Sequence, residues 1–280
     1  MSSAASSSLQ ATGGGSARPP FASLRSRVGA SPWTYRLLVL AVVGTIWEIY
    51  AVNLRSLLIP TFSDTLVGVV TLVQDLATWD AFWKSNQSLL FGFSASLVVG
   101  ILAGLAAARF RSIEGFLDPY LNILLVTPMA AIIPLLIMSL GIGLESRIVI
   151  VFVFALPVLI VNTRAGVRQV DAILVEMSTS FGASERQIWR KVLLPGALPA
   201  VMTGVRLGLG RAVTGMVVVE LLFVAVGIGN LITTFRGSFD PDLLYGVVIL
   251  VVFEALILIS IVRAVERRIA PWAHGTVLRE

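Results

Sequence analysis

The chain has 280 residues, 56% of them apolar and 13% charged, where soluble domains carry about 25% charged residues; with a mean hydropathy of +0.90, an ordinary soluble protein is excluded. The formal net charge is +5, from 21 basic and 16 acidic residues, and the basic ones lie scattered between apolar runs, a placement that suits a membrane and not a nucleic acid. There is no cysteine and a single histidine, His274, so disulfide frameworks, Cys-ligated metal centres and a buried Ser-His-Asp triad are excluded, and no catalytic or metal-binding set is expected.

Residues 1–34 are Ser-, Ala-, Gly- and Pro-rich, with Arg18, Arg25 and Arg27 and no acid. That composition packs no core and predicts a disordered tail. A span needs about 20 mostly apolar residues. The first runs from about Tyr35 to Val52 with Glu48 inside, the second from Ser85 to Ala108, and the third from Pro119 to Leu144, interrupted by Pro128 and Pro134. Ile148 to Thr163 is the fourth, Pro195 to about Val224 the fifth with Arg206, Arg211 and Glu220, and Leu243 to Val262 the sixth with Glu254. The fold class predicted is therefore all-α, a polytopic membrane protein with six transmembrane helices over 35–272 and a short tail, 273–280. Between the first two spans, Ser63 followed by Leu66, Val69, Val70 and Val73 suggests a short amphipathic helix on the outer surface, or more plainly a packing helix.

Arginine placement sets the orientation. With the N-terminus inside, fifteen Lys+Arg fall on the cytoplasmic side, four (Arg55, Lys84, Arg147 and Arg236) on the other, and two within the fifth span. Both termini are expected in the cytoplasm.

The stretch 164–195 is too polar for lipid and too patterned for a plain connection. Ile173, Met177 and Phe181 recur at i, i+4, i+8, giving one apolar helical face. Gly182 suits a left-handed C-terminal cap. Ser184 with Gln187 forms a capping-box pattern for a second helix, and Leu194-Pro195 is expected to stop that helix. A helix–Gly–helix elbow projects into the cytoplasm, its stripe packed on the protein's own spans or received by a partner.

Within this stretch, Glu176-Met177-Ser178, three residues, Gly182, nine residues, then Val192-Leu193-Leu194-Pro195 resembles the coupling loop of ATP-binding cassette importer permeases. The spacing agrees throughout; Met177-Ser178 stand where the family usually has two alanines. Leu140-Gly-Ile-Gly143, Asn162-Thr-Arg-Ala-Gly166, Leu194-Pro-Gly-Ala-Leu-Pro199, Thr203-Gly-Val-Arg-Leu-Gly-Leu-Gly210, Glu220 and Gly227-Ile-Gly229 resemble the branch serving nitrate, taurine, aliphatic sulfonates and certain pyrimidines. The resemblance implies the type I importer permease fold and a bacterial inner-membrane location. It also implies a subunit that couples to an ATPase through Glu176, Met177, Ser178, Phe181, Gly182, Ala183, Leu194 and Pro195. The partners implied are ATP-binding ATPase subunits, a periplasmic or lipoprotein substrate-binding protein, and a second copy of the permease. No P-loop Gly-Lys-Ser/Thr is present, because Lys84 and Lys191 follow Trp83 and Arg190. ATP is then bound by the partner, and this chain is expected to need no cofactor and to be no enzyme.

Arg211, Arg206 and Glu220 are the pathway candidates. A charge at mid-span costs on the order of 2.5–3.5 kcal/mol and so faces a cavity or a counter-charge. Arg206 is near enough to the inner end to snorkel. Arg211 is deeper, fit either to attract an anion or to pair with Glu48, Glu220 or Glu254. The cargo expected is a small anion such as a sulfonate, taurine or nitrate. The alternatives are a pyrimidine-like solute on the same machinery and a secondary transporter driven by an ion gradient, which would need inverted repeats.

Overall fold

In a computed structural model, residues 32–54 and 57–274 are described, and among them there is no strand. Most of both expected tails, 1–31 and 275–280, lies outside the described residues, as does Arg55. The chain divides into two units, Met1–Tyr50 and Ala51–Glu280. The first contains most of α1 (Pro32–Leu54), an apolar helix long enough to cross a membrane.

The second unit holds the remaining helices. α2 (Phe62–Gln74) is capped by Thr61, not Ser63: the Thr61 hydroxyl accepts the Asp64 N–H at 3.0 Å. Its buried face is Thr65, Gly68 and Leu72, whereas Leu66, Val70 and Val73 are exposed. Glycine decides which face packs. A Cβ on Gly68 would lie 2.6 Å from the Asp242 carbonyl, so the helix approaches α11 (Pro241–Ile269) backbone to backbone.

α3 (Leu76–Arg109) begins nine residues before the uncharged run that predicted it. Asp75 caps it by accepting the Ala77 N–H at 3.0 Å, and the Asp80–Lys84 pair (2.6 Å, i,i+4) carries its polar first turns. Against it lies α6 (Leu144–Arg168), and on the other side of α6 lies α9 (Leu194–Leu222). Both interfaces are seamed by small residues. A Cβ on Gly104 would stand 2.6 Å from the Thr163 Cβ, and one on Gly100 2.7 Å from the Leu159 Cβ; across α6, Gly204 meets Asn162 at 2.7 Å and Gly215 meets Phe154 at 2.7 Å. Lipid tails are as apolar as leucine, so helices in a bilayer associate through such close contact and through interhelical hydrogen bonds. Ser96 supplies one, donating to the Phe152 carbonyl at 2.8 Å.

The expected third span is broken. α4 (Arg111–Val126) ends at Thr127-Pro128, a 3-10 turn covers Met129–Ala131, and α5 (Ile133–Leu140) leaves at 92°. Pro128 makes the break, while Pro134 sits in the first turn of α5, where a missing N–H costs nothing. Among the described residues five helices are long and apolar enough to cross a membrane, and six spans result when the bent pair counts as one.

Two further differences from the sequence reading concern the ends of α9. Leu194-Pro195 does not stop the preceding helix. A π turn over Trp189–Leu193 passes straight into α9, the Leu194 N–H reaching back to the Trp189 carbonyl. The wider turn lets the chain accommodate Pro195, which has no N–H to offer. At the other end, Gly227 (φ 63°) opens an unpredicted helix, α10 (Gly227–Ser238), which packs on α3 and α9.

Candidate functional site

The elbow is built from local caps. α7 (Ala172–Ser180) starts at Asp171, whose carboxylate accepts the Ile173 N–H at 2.9 Å. It ends in a Schellman motif: Gly182 donates to the Thr179 carbonyl at 2.9 Å and Ala183 to that of Ser178 at 3.0 Å. Gly182 adopts φ 74°, which a side chain would resist. α8 (Glu185–Ile188) follows, the Ser184 N–H donating to Gln187 Oε1 at 2.8 Å.

Of the elbow residues named from sequence, Ser178, Phe181, Gly182 and Ala183 line one hollow of about 260 Å³ with Gln187 and Lys191. Glu176 and Met177 lie on the exposed surface beside it, and Phe181 is 86% exposed. Leu194 and Pro195 are set apart, in the first turn of α9. Ile173, Leu174 and Met177 are also exposed, so the apolar stripe is not packed on the spans. Two features escaped the sequence reading. Arg109, at the end of α3, forms an ion pair with Glu185 and stacks over Phe110, its guanidinium 5.1 Å from the ring centre. Arg164 and Arg168 of α6 hold Glu114 at 3.4 and 2.5 Å, and Arg164 also pairs with Asp118, tying α4 to the same end of the bundle.

The three intramembrane candidates separate. Arg206 pairs with Glu266 of α11 and donates to the Thr203 hydroxyl at 2.9 Å. Glu220 is fully buried and faces α3, α6 and α10: it takes Arg147 at 3.1 Å, the Ser85 hydroxyl at 2.6 Å and the Gly229 N–H at 3.3 Å. Ser85 in turn accepts the Ile228 N–H at 2.9 Å. The N-terminus of α10 is thus aimed at a carboxylate, a favourable charge for its dipole. A Cβ on Gly227 would collide with the Ser85 hydroxyl, and one on Gly229 with the Glu220 backbone, which is why both positions are glycine. Arg147, which topology had put among the outer basic residues, is the counter-charge that single-sequence reading could not match to Glu220.

Arg211 differs from both. It is exposed, and among the described residues it has no ion-pair or hydrogen-bond partner. With Thr214 it lines a hollow of about 310 Å³ that is also bordered by the broken stretch Thr127, Pro128 and Met129 and by Pro157 of α6. Unwound backbone at membrane depth is tolerated where it borders such a cavity; here the Thr127 N–H donates to the Ile123 carbonyl at 2.8 Å, and the Pro128 and Met129 carbonyls accept the Ala131 and Ile132 N–H groups at 2.8 and 3.0 Å.

The profile of the family described as binding-protein-dependent transport system inner membrane component matches residues 96–274. The chain belongs to this family. It is 28% identical to the taurine transport system permease protein TauC of Escherichia coli over 87% of its own length and 91% of that protein's. It is 30% identical to SsuC of Bacillus subtilis, a permease protein named for aliphatic sulfonates transport, over 90% and 91%. A solved structure titled as inward facing conformations of the MetNI methionine ABC transporter superposes with a TM-score of 0.51 at 25% identity, covering 69% of this chain and 93% of the other. The permease is therefore a type I importer subunit, a multi-pass membrane protein that forms a solute pathway for an ATP-driven system.

Proposed function

We propose that the permease carries small organosulfonate anions, and that Arg211 receives them. The observation that carries this reading is the pairing of each other intramembrane charge named from sequence in the fifth span, Arg206 with Glu266 and Glu220 with Arg147, while Arg211 stays unpartnered over the hollow. A planar guanidinium offers several donors to a sulfonate oxygen set, in a site where desolvation strengthens each bond. The names of the two relatives support the same cargo class.

In this reading two copies enclose the path, each presenting Met177 and Phe181 to a separate ATPase subunit that binds and hydrolyses ATP, and the permease itself needs no cofactor and catalyses nothing. A soluble binding protein delivers the solute on the side opposite the elbow. Both termini lie in the cytoplasm, as the arginine asymmetry supports. The test is uptake of labelled taurine and an alkanesulfonate into proteoliposomes holding the full transporter, with the binding protein and ATP supplied. Arg211→Gln should lower uptake about tenfold, the loss of one charge-assisted contact, with ATP hydrolysis still responding to the permease. Undiminished uptake in that variant removes Arg211 from the pathway. Preferential uptake of an uncharged heterocycle by the wild type overturns the cargo class.

A further inference from the structure

Away from Arg211 the hollow is apolar. Leu124, Leu125, Phe154, Val158 and Val218 line it, and its other polar side chains are the neutral hydroxyls of Thr127 and Thr214. The Thr214 proton is already donated to the Gly210 carbonyl, at 2.9 Å. Among the described residues no carboxylate borders the hollow. On α9 and α11, which carry acids well inside their spans, those acids are engaged elsewhere. Glu220 is held by Arg147 and Glu266 by Arg206, and Glu254 lies against Asn86 in a separate cavity between α3 and α11. A solute seated here meets one positive charge and no negative one. An ammonium among those apolar side chains would lose hydration and gain no ion pair in exchange.

Phe154 of α6 shapes the apolar part. A Cβ on Gly215 would stand 2.7 Å from the Phe154 Cγ and 3.0 Å from its Cδ1, so the ring rests directly on the α9 backbone. Any side chain at 215 would push the ring off α9, at the expense of the space it borders. At about 310 Å³ the hollow is at the small end of ligand pockets, which run from about 300 to 1,000 Å³. The seat of one ring therefore decides which tails fit.

We propose that the hollow selects sulfonates by their tails: it takes short, uncharged hydrocarbon tails, turns away those ending in an ammonium, and limits length by the Phe154 ring seated on Gly215. The inference rests on Arg211 receiving the sulfonate group and adds what the rest of the hollow demands of the solute. Propanesulfonate and taurine are the decisive pair, because they differ only by a methyl group in place of the terminal ammonium.

The test uses permease and ATPase purified together without the binding protein, so that delivery plays no part. Unfolding midpoints titrated with each sulfonate give apparent dissociation constants. Wild type should bind propanesulfonate about tenfold or more tightly than taurine, and Arg211→Gln should abolish the shift with every sulfonate. Phe154→Leu, which shortens the wall, should improve hexanesulfonate severalfold relative to propanesulfonate. Gly215→Ala should move the preference the other way, towards methanesulfonate, and either variant decides the matter if the other folds poorly. If taurine binds as tightly as propanesulfonate and Arg211→Gln abolishes both, the selection by tails is overturned while Arg211 keeps its role. Tail-length preferences identical in wild type and both variants overturn the role of Phe154. Shifts that survive in Arg211→Gln, or no shift with any sulfonate, overturn the reading of Arg211 and this inference with it.

Discussion

The two ends of α9 are fixed by opposite means. At Glu220 four elements converge on one buried carboxylate, α9 itself with α3, α6 and α10, and the contacts made through Ser85 and Arg147 join helices distant in sequence. At the elbow nearly every bond is local, a cap or a turn, and the apolar side chains face outward. The first arrangement resists any displacement of one helix against another. The second keeps its own shape but is tethered to α3 by little more than the exposed Arg109–Glu185 pair. A subunit that must transmit motion needs both, a stiff anchor and a self-contained handle.

Removing the anchor should have the largest effect. Glu220→Ala leaves Arg147 buried and unmatched, which costs about 3–5 kcal/mol and should appear as a large drop in the unfolding midpoint in detergent and in membrane yield. If Glu220→Ala is as stable as wild type, the contrast between the ends collapses. At the handle the expected loss is in binding and not in folding. Phe181→Ala should weaken ATPase association by about 2 kcal/mol or more, read by co-purification, with the unfolding midpoint unchanged. A fallen midpoint would mean that the stripe is part of the core after all. Between these lies the seam: Gly104→Val forces a side chain against Thr163 and should cost about 1–3 kcal/mol, with transport falling in proportion to folded protein. The smallest effect is expected from Glu185→Gln. The pair with Arg109 is exposed, so stability should change by less than about 1 kcal/mol, while ATP hydrolysis should become less responsive to transported solute. Tight coupling in that variant would assign the tether no role.

Sequence legibility followed the same division. The elbow could be read because its determinants are consecutive: the Schellman glycine, Gly182, and the Ser184–Gln187 capping box are properties of a handful of neighbouring residues, although the Asp171 cap was not read. The spans were legible from composition, although their ends were not, since Asp80 and Lys84 look like loop residues until they pair on a helix. The anchor was not legible. Ser85, Arg147, Glu220 and Gly229 are brought together only by packing, and Glu220 had Arg211 as an equally plausible partner on charge alone. The break at Pro128 was foreseen, but not that it would turn the chain by 92° and leave a hollow beneath Arg211.

The π turn at Trp189–Leu193 makes the elbow and α9 one continuous rod from Glu185 to Leu222, 38 residues long. A π turn is an α-helix carrying one surplus residue, and each residue of a helix advances the azimuth by about 100°. The surplus residue therefore sets the phase between Glu185, where the elbow joins the rod, and Arg211 further along. Deleting a single residue there, Val192 for instance, would restore a regular helix and swing the handle by about a quarter turn relative to the face that carries Arg211. Both ends would survive intact, dialled out of register with one another.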